Sequence, residues 1–335
     1  MSRFVLMVLA LFAGAPAAFA QNDADWKICN SDDDDAAIAA CTRVLKRGRL
    51  SRNDLGVVYY NRALSYRRKD RLDEALADYS RSLEHRPDNA DAHNNRGVVY
   101  ELKRDYDRAL ADYSAAIRIR PASSNAYSNR GDVYRKLGQF ERAIIEYNAA
   151  IKINPGRAVD HNDLAEAYML TGQYANAIAS ANRAVELESD RGNAFYARGL
   201  SAFYLGDYRA AAPDLRRAVD LAARPYSMIY RHIARARYGE TSTAELEADA
   251  TRLKSTAWPY SVIEMLTGKR SPEAVLDGAS GASEKCDAHY FAAHYFMIRD
   301  NSAEHAERLS KAADVCPASD YEFMGVRAEL GRTPR

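Results

Sequence analysis

The sequence has almost no net charge: its 335 residues include 47 Lys and Arg against 46 Asp and Glu. Because the two signs nearly cancel, the chain has no net electrostatic field that would attract nucleic acid or an acidic membrane. This excludes a generic nucleic-acid binder. Proline and glycine are also few, at 10 and 17 residues, which excludes a collagen-like or mostly disordered chain. Tyrosine is abundant instead, with 22 residues.

Long hydrophobic runs are missing too, except at the beginning of the sequence. Arg3 precedes an apolar stretch from Phe4 to Ala13, and Ala18-Phe19-Ala20 forms an A-x-A cleavage site. We interpret residues 1–20 as a secretory signal peptide, because the apolar stretch is too short to span a bilayer. No cysteine directly follows Ala20. We therefore expect a soluble, exported protein without a lipid anchor, either periplasmic or secreted.

Cysteine is scarce, and none of the four residues stands in C-x-x-C spacing: Cys29, Cys41, Cys286 and Cys316. In an oxidising compartment an even number of cysteines favours disulfides over metal ligation. Four cysteines allow three connectivities, among which we favour the local pairs Cys29–Cys41 and Cys286–Cys316. A catalytic thiol is the alternative, although no partner motif accompanies any of the four.

Four similar blocks come into register when the sequence is shifted against itself by 34 residues. Each block has a small residue, a tyrosine three positions later and an alanine nine positions after that. The small residues are Ala63, Gly97, Gly131 and Ala165. The tyrosines are Tyr66, Tyr100, Tyr134 and Tyr168, and the alanines are Ala75, Ala109, Ala143 and Ala177. The first three blocks end in Pro87, Pro121 and Pro155, and a weaker fifth copy runs from Gly192 to about Ala223.

This register resembles the tetratricopeptide repeat, whose period is 34 residues and whose pattern places Gly, Tyr, Ala and Pro at these offsets. The match covers about half of the chain. The resemblance implies an all-α fold, a tetratricopeptide (TPR) solenoid in which helical hairpins stack into a right-handed superhelix with a concave and a convex face. We predict a capping segment over 21–55, about five repeats over 56–223 and a divergent helical region over 224–335.

Helical periodicity supports the hairpins as well. Each block has two stretches with apolar residues at helical spacing, separated by a short polar turn such as Lys69-Asp70-Arg71. A small residue such as Gly97 allows two helices to approach, and Tyr100 and Tyr113 would fill the space between them. Pro121 ends a hairpin because proline cannot continue a helix.

Both flanks of the array resemble caps. Asn30–Asp35 precedes a predicted helix over Ala36–Lys46, and we interpret its carboxylates as helix-capping groups rather than a calcium loop, which needs spaced ligands and a glycine turn. Beyond Arg224 the pattern predicts helices at Tyr226–Tyr238, Ala244–Thr256 and Trp258–Thr267, a small-residue loop at Gly278–Ser283, and a last hairpin of His289–Ile298 and Ala303–Val315. Cys286 and Cys316 flank this last hairpin, whose two ends lie side by side, and for that reason we pair them.

The whole arrangement is similar to exported TPR proteins of alphaproteobacteria, which often have a cysteine-containing N-terminal helix of the form C…AIAACT, here Cys29 to Thr42. The C-terminal part, with Trp258-Pro259 and the hairpin from Cys286 to Pro317, resembles the NlpI-type envelope proteins. That family includes adaptors that deliver substrates to periplasmic proteases. This chain lacks the acylated cysteine of the lipoprotein members, so membrane tethering does not carry over.

Catalytic motifs are missing. The sequence has no P-loop, dinucleotide-binding, nucleophile-elbow or H-E-x-x-H motif, so we predict neither enzymatic activity nor a cofactor or metal. His289 and His294 are five residues apart and do not share a helix face well. We interpret the basic run Arg67–Lys69 with Arg71 as solvated charge at a turn, with anion binding as the alternative. The tyrosines that recur at 66, 100, 134 and 168 are predicted to be core rather than a ligand stripe.

One set of polar residues suits peptide binding: Asn61, Asn95 and Asn129, each two places before the small residue of its block. In the TPR family this position faces the concave groove, where asparagines can donate to and accept from the backbone of an extended peptide. The alternative is that asparagine simply tolerates a half-exposed helical site. Asp163 and Ala197 occupy the next two positions and interrupt the series.

Tyr59, His93 and Tyr127 are our candidates for the walls of side-chain pockets beside these asparagines. The carboxylate clamp of the family, which grips a peptide C-terminus with Lys, Arg and Asn, does not fit. Its five places hold Tyr60, Leu64, Asn95, Asn125 and Asn129, of which only Asn95 matches. We therefore do not expect capture of a free C-terminus.

The sequence thus predicts a non-catalytic interaction scaffold or adaptor of the bacterial cell envelope. It would bind an extended segment of an envelope protein, without a nucleic-acid partner or a membrane span, and self-association stays possible. The alternatives are a protease adaptor, a binder of an anionic envelope polymer, or an enzyme with its site around Trp258–Cys316. A deep cavity with clustered titratable groups in that region would favour the enzyme.

Overall fold

The computed structural model describes residues 24–48, 50–240, 243–317 and 320–332, so the predicted signal peptide lies outside the described residues. Within these ranges the chain forms nineteen helices and no strand. It divides into two compact units, the first ending at Val133 and the second beginning at Tyr134. The predicted all-α fold class is confirmed.

The helices are short and follow one another closely. Those that begin before the boundary are α1 (Ala24–Cys29), α2 (Asp34–Arg47), α3 (Arg52–Arg68), α4 (Leu72–His85), α5 (Ala90–Leu102), α6 (Tyr106–Ile119) and α7 (Ser124–Lys136). The repeat helices of the second unit are α8 (Phe140–Ile153), α9 (Ala158–Leu170), α10 (Tyr174–Leu187), α11 (Gly192–Leu205) and α12 (Tyr208–Leu221). The C-terminal helices are α13 (Pro225–Ala236), α14 (Thr243–Ala250), α15 (Tyr260–Leu266), α16 (Pro272–Gly278), α17 (Gly281–Met297), α18 (Ser302–Val315) and α19 (Tyr321–Arg332).

Consecutive helices pack as hairpins, α3 with α4 and α5 with α6 in the first unit, and α9 with α10 and α11 with α12 in the second. The first helix of each hairpin must approach the second closely. A Cβ atom added to Gly97 would lie 2.8 Å from Cε1 of Tyr113 on the second helix. Tyr113 is completely buried, as are Tyr79 and Tyr147 at the equivalent places of other hairpins.

The repeated first-helix tyrosines are less buried than predicted. Tyr66, Tyr100 and Tyr134 lie half-buried at the margins of the apolar clusters. An arginine guanidinium lies over each exposed ring face, as with Arg71 at 4.5 Å from the centre of Tyr66 and Arg108 at 4.7 Å from that of Tyr100. The core tyrosines are those of the second helices instead.

The acidic run near the N-terminus caps a helix, as predicted, and it also pairs with a basic turn. The Asp33 carboxylate accepts a hydrogen bond from the backbone N–H of Ala36 at 3.1 Å, and α2 begins at Asp34. Nε of Arg68 donates to Oδ1 of Asp34 at 2.6 Å, and Nζ of Lys69 lies 2.8 Å from Oδ2 of Asp35. These two pairs join the acidic run to the basic turn at the end of α3.

Two disulfides join the four cysteines in the pairs that the sequence analysis favours. Cys29 at the end of α1 is bonded to Cys41 in α2, with Cα atoms 4.8 Å apart. Cys286 in α17 is bonded to Cys316 directly after α18, with Cα atoms 4.6 Å apart. Such bonds are consistent with an extracytoplasmic protein. Among the described helices, none is both long and apolar enough to cross a membrane.

The C-terminal region differs from its prediction at four helices. Helix α17 begins at Gly281 rather than at His289, so most of the loop predicted at Gly278–Ser283 is helical. Cys286, Asp287 and Ala288, which follow this segment in α17, form a buried face. The small and charged residues before them do not indicate that face in the sequence. Helices α16 and α19 are not in the prediction at all, and α14 ends at Ala250 rather than at Thr256.

Helix α19 packs on the repeat helices of the second unit. The hydroxyl of Tyr174 donates to the carbonyl of Met324 at 3.3 Å, and that of Tyr204 donates to the carbonyl of Tyr321 at 2.9 Å. Near its other end, Nη2 of Arg237 donates to the carboxylate of Glu329 at 2.8 Å. The last described helix is therefore part of the core of this unit rather than a tail.

Candidate functional site

The asparagine series lies on the first helices of successive hairpins in the first unit. Asn95 on α5 donates from Nδ2 to the hydroxyl of Tyr60 on α3 at 3.0 Å. Asn129 on α7 donates from Nδ2 to Oδ1 of Asn94 on α5, also at 3.0 Å. Each side chain is half-buried and is oriented by the first helix of the preceding hairpin.

The series extends to the N-terminal segment. Nδ2 of Asn61 donates to Oδ1 of Asn30, and Asn30 in turn donates to the carbonyl of Trp26 at 2.7 Å. Within the described chain no donor reaches Oδ1 of Asn61, Asn95 or Asn129. The three amides therefore present acceptor oxygens at places one repeat apart. We define this surface, carried by Asn61, Asn95 and Asn129, as the asparagine face.

The other three candidates, Tyr59, His93 and Tyr127, each have a contact within their own hairpin. His93 contacts Asp112 on the second helix of its own hairpin, at 2.9 Å from Nδ1, and the carbonyl of Pro87 at 3.2 Å from Nε2. Tyr59 stacks on His85 of its own second helix, with ring centres 6.0 Å apart. Residues two apart on a helix point to different sides, so this position faces into the hairpin.

Tyr127 contacts a residue of its own helix, since the guanidinium of Arg130 lies 5.7 Å from the centre of its ring. The neighbouring arginines are engaged within the hairpins. Arg96 binds Asp112 in a two-pronged contact of 2.7 and 2.9 Å. Burial alone would raise the pKa of Asp112, but the hydrogen bonds from Arg96 and His93 outweigh it and lower that pKa. These charges hold helices together rather than a ligand.

A cavity of about 450 Å³ in the second unit was not predicted. It lies between the first helices of hairpins and the C-terminal helices. Its described lining residues are Asn162, Glu166 and Met169 of α9, Asn193, Tyr196 and Ala197 of α11, Arg224 and Tyr226 at the start of α13, Ser283 and Asp287 of α17, and Asp320, Tyr321 and Glu322 at the start of α19. The volume is within the range of small-ligand sites, about 300–1,000 Å³.

Two buried carboxyl groups meet at the wall of this cavity. Asp287 and Glu322 both line the cavity and are only 4% and 6% exposed. Burial raises the pKa of both groups, and the repulsion from Asp287 raises that of Glu322 further. Two neighbouring carboxyl groups in a buried site are most stable with one proton between them, because two like charges there would repel each other.

Neutral donors fix the positions of the two carboxyl groups. Oδ2 of Asp287 accepts from the hydroxyl of Tyr226 at 2.5 Å and from Nε1 of Trp258 at 2.8 Å. Oε1 of Glu322 accepts from the hydroxyl of Tyr230 at 3.1 Å. The Cys286–Cys316 disulfide lies next to Asp287 in the chain and joins α17 to the segment that leads to Glu322.

Only part of this site could have been predicted from the sequence. Asn162 and Tyr196 occupy one repeat position, 34 residues apart, directly before the places of Asp163 and Ala197, where the asparagine series ends. That register could have indicated a second surface on α9 and α11. No pattern in the sequence indicates that Asp287 and Glu322 line the same cavity. Their placement depends on α19, for which the sequence shows no repeat pattern.

Comparison with known proteins gives a family match over the repeats. The model of the family described as tetratricopeptide repeat matches residues 60–124, 103–158, 129–194 and 196–252, which together cover more than half of the chain. No curated protein matches the chain.

Solved structures resemble parts of the chain at low sequence identity. One is the crystal structure of YrrB, described as a TPR protein with an unusual peptide-binding site, at 22% identity and a TM-score of 0.49, covering 57% of this chain and 96% of that one. A second is MamA residues 41 to the end from Desulfovibrio magneticus RS-1, at 22% identity and a TM-score of 0.48, covering 51% of this chain and 97% of that one. A crystal structure of MamA protein has 18% identity and a TM-score of 0.47, covering 56% and 98%.

Proposed function

Because the chain belongs to the tetratricopeptide repeat family, we propose that it is a non-catalytic interaction scaffold or adaptor of the bacterial cell envelope. Its partner would be another envelope protein, bound through an extended peptide segment. Stacked hairpins offer a long surface that suits such a segment better than a compact ligand.

The observation that carries this proposal is the asparagine face. Hydrogen bonds from Nδ2 hold Asn95 and Asn129 in place, and their Oδ1 atoms remain as acceptors. An extended peptide presents a backbone N–H at regular intervals along one edge, and each N–H can donate to one such oxygen. Binding of this kind reads the backbone, so it tolerates many side chains.

The placement in the cell envelope rests on the predicted signal peptide and is supported by the two disulfides. If the resemblance to NlpI-type proteins extends to function, the bound segment would belong to a substrate that the protein brings to a periplasmic protease. Export can be tested by sequencing the N-terminus of the protein recovered from the periplasm. A mature chain that begins at Gln21 supports the proposal, and an uncleaved chain in the cytoplasm contradicts it.

The peptide site can be tested with peptides selected from a random display library on the purified mature protein. We expect substitution of Asn95 and Asn129 by alanine to weaken the selected peptides about tenfold, since each lost hydrogen bond is worth about 0.5–1.5 kcal/mol. Methylation of alternate backbone nitrogens in the peptide should have a similar effect, whereas alanine scanning of its side chains should have less.

A matched control changes two exposed asparagines on second helices, Asn148 and Asn176, to alanine. This control should leave the affinity unchanged. Selected peptides that bind the Asn95 and Asn129 variant as tightly as the original protein would overturn the role of the asparagine face. Failure to select any peptide would overturn the scaffold proposal.

An enzyme at the cavity is a second candidate function, because titratable groups cluster there as an active site would require. Asp287 and Glu322 are almost completely buried and are held by phenol and indole donors, which suits fixed binding groups better than groups that must reach a bond to be cleaved. We therefore favour binding over catalysis. Hydrolysis of a chromogenic ester, peptide or glycoside that is abolished by Asp287→Asn would establish the enzyme.

A further inference from the structure

The cavity of the second unit has more negative than positive groups on its described wall. Four carboxyl groups line it, and the guanidinium of Arg224 is the positive group among the described lining residues. One of the four, Glu166, accepts a hydrogen bond from Tyr321 and lies 3.5 Å from the guanidinium of Arg135. The wall as a whole favours a cation.

The central carboxyl pair has no basic partner within the described chain. The described side chains that donate hydrogen bonds to Asp287 and Glu322 are two phenols and an indole. A buried carboxylate is costly unless a positive charge or several donors compensate it. A proton on the pair would take that role in the empty cavity, and a cation from outside could replace it.

Asn162 provides an independent indication of a ligand. Its side chain lies at the cavity wall with only 6% of the residue exposed. Nδ2 donates to Oδ1 of Asp163 at 3.2 Å, which fixes the orientation of the amide, because the reverse orientation would set two oxygens against each other. Oδ1 of Asn162 is then a buried acceptor without a donor in the described chain. Such an acceptor costs free energy until a donor reaches it.

The remaining wall is apolar and aromatic. Met169 and Ala197 line the cavity together with the rings of Tyr196 and Tyr226. Aliphatic chains pack well on such surfaces, and aromatic faces attract ammonium and guanidinium groups. About 450 Å³ accommodates a chain of several methylene groups with one charged end, but not a folded domain.

We propose that this cavity binds a primary ammonium or guanidinium group on a short aliphatic chain, with the cation at Asp287 and Glu322 and one of its N–H groups donating to Oδ1 of Asn162. The ligand is either a free amine or a lysine or arginine side chain of a bound polypeptide. This site is separate from the asparagine face and does not depend on it.

Binding must release a proton. The ammonium of the ligand arrives charged and takes the place of the proton shared by Asp287 and Glu322, which passes to the solvent. The affinity should therefore rise with pH until the pair has lost its proton in the free protein as well. The titratable and charged groups that face the pair are Tyr196, Tyr226, Tyr230, Asp320, Arg224 and Glu166. Burial raises the pKa of all three tyrosines above its ordinary value near 10, so these phenols stay neutral in the tested range.

Isothermal titration calorimetry of the full mature protein at pH 7.5 tests the proposal with three cations: 1,5-diaminopentane, agmatine and Nα-acetyl-lysine N-methylamide. We expect at least one to bind at least about tenfold more tightly than 1-pentanol, which has the same chain without the charge. Binding of diaminopentane alone identifies a free amine as the ligand. Binding of the lysine derivative identifies a peptide side chain. Binding no tighter than that of 1-pentanol for all three overturns the proposal.

Isosteric variants separate the roles of the residues. The double variant Asp287→Asn, Glu322→Gln should lose about tenfold or more in affinity and should no longer release a proton. Asn162→Leu should weaken binding about threefold to tenfold, because it removes the acceptor. Arg224→Gln should instead strengthen binding about threefold, because it removes a like charge from an exposed place on the wall.

The opposite sign of the Arg224→Gln effect guards against a general loss of structure. A double variant that keeps both its helical circular dichroism and its full affinity would overturn the site. Proton uptake, or an equal heat of binding in buffers of different ionisation enthalpy, would overturn the exchange of proton for cation. A failed peptide selection with successful amine titrations would remove the asparagine face and leave the cavity.

Discussion

A Cβ atom added to Gly325 would lie 2.5 Å from the hydroxyl oxygen of Tyr290. Tyr290 is completely buried on α17, and Cζ of its ring would lie 2.7 Å from the same added Cβ. The backbone of α19 thus approaches α17 as closely as a residue without a side chain permits. Docking of the last helix, and with it the position of Glu322, depends on this contact.

We predict that Gly325→Ala destabilises the second unit by about 1–3 kcal/mol, the usual cost of overpacking. Urea unfolding followed by tryptophan fluorescence measures this, because Trp258 contacts Asp287 beside α19. The matched control is Gly331→Ala in the same helix, where an added Cβ meets nothing within 4 Å. That variant should be neutral or slightly stabilised, since alanine favours helix over glycine by up to about 1 kcal/mol. Equal effects of the two substitutions would contradict the close-approach argument.

Glu322→Gln should stabilise the protein at neutral pH. Burial and the neighbouring Asp287 raise the pKa of Glu322 well above its ordinary 4.5. Between these two values the folded state keeps a proton that the unfolded state releases, so the free energy of unfolding falls as pH rises. Glutamine cannot ionise and keeps the acceptor for Tyr230. We expect the stability gain to grow with pH above about 4.5 and to vanish below it, as measured by thermal unfolding from pH 4 to 8.

The control for this variant is Glu329→Gln, in the same helix. Glu329 accepts a hydrogen bond from Arg237 at 2.8 Å, so removal of its charge should lower the stability instead. If both glutamine variants shifted the unfolding temperature in the same direction, the assignment of a shared proton to Asp287 and Glu322 would be wrong.

Replacement of Cys286 and Cys316 by serine should destabilise the protein by about 3–4 kcal/mol, on the loop-entropy treatment of a bond that closes 30 residues of chain. The Cys29–Cys41 bond closes only 12 residues of chain, so replacement of these two cysteines by serine should cost about 3 kcal/mol. Amine binding distinguishes the two variants, because only the Cys286–Cys316 bond adjoins the carboxyl pair Asp287 and Glu322. Calorimetry should show weaker binding for the Cys286 and Cys316 variant and unchanged binding for the other.

Asp112→Asn should reduce stability at neutral pH and flatten its loss in acid. Hydrogen bonds from Arg96 and His93 outweigh burial and lower the pKa of Asp112 below 3.8. The charged form therefore stabilises the fold above that pH, and this contribution disappears as pH falls toward the lowered pKa. We expect a loss of about 2 kcal/mol at pH 7, measured by urea unfolding. The exposed Asp107 on the same helix is the control, and Asp107→Asn should change little.

The residues that repeat could be predicted, because each one solves the same packing problem in every hairpin. Gly97 faces Tyr113 and the chain turns at Asp70 for reasons that are local to one hairpin. The repeat helices from α3 to α12 follow from these residues. The asparagine positions follow as well, since they share the register.

The orientation of side chains within a helix was harder to predict than the helix itself. Tyr59 and His93 each lie two positions before an asparagine of the series. Their side chains contact the second helix of their own hairpin, at His85 and Asp112 respectively. Helix α19 could not be predicted at all. Its partners Glu166 and Tyr174 lie 155 and 150 residues earlier in the chain, and no periodicity connects such distant segments.

These distant contacts determine when the second unit can finish folding. In the first unit each hairpin meets its stabilising partners within about one repeat, as with Asn95 and Tyr60, which are 35 residues apart, so it can assemble while the chain is still emerging. In the second unit the hydroxyl of Tyr204 can form its hydrogen bond to the carbonyl of Tyr321 only after another 117 residues have been added to the chain. Until the last helix arrives, the hydroxyls of Tyr174 and Tyr204 lack their carbonyl partners on α19, and the surface that α19 covers stays open to solvent. The order of emergence therefore separates the two units in time, with the cavity completed last.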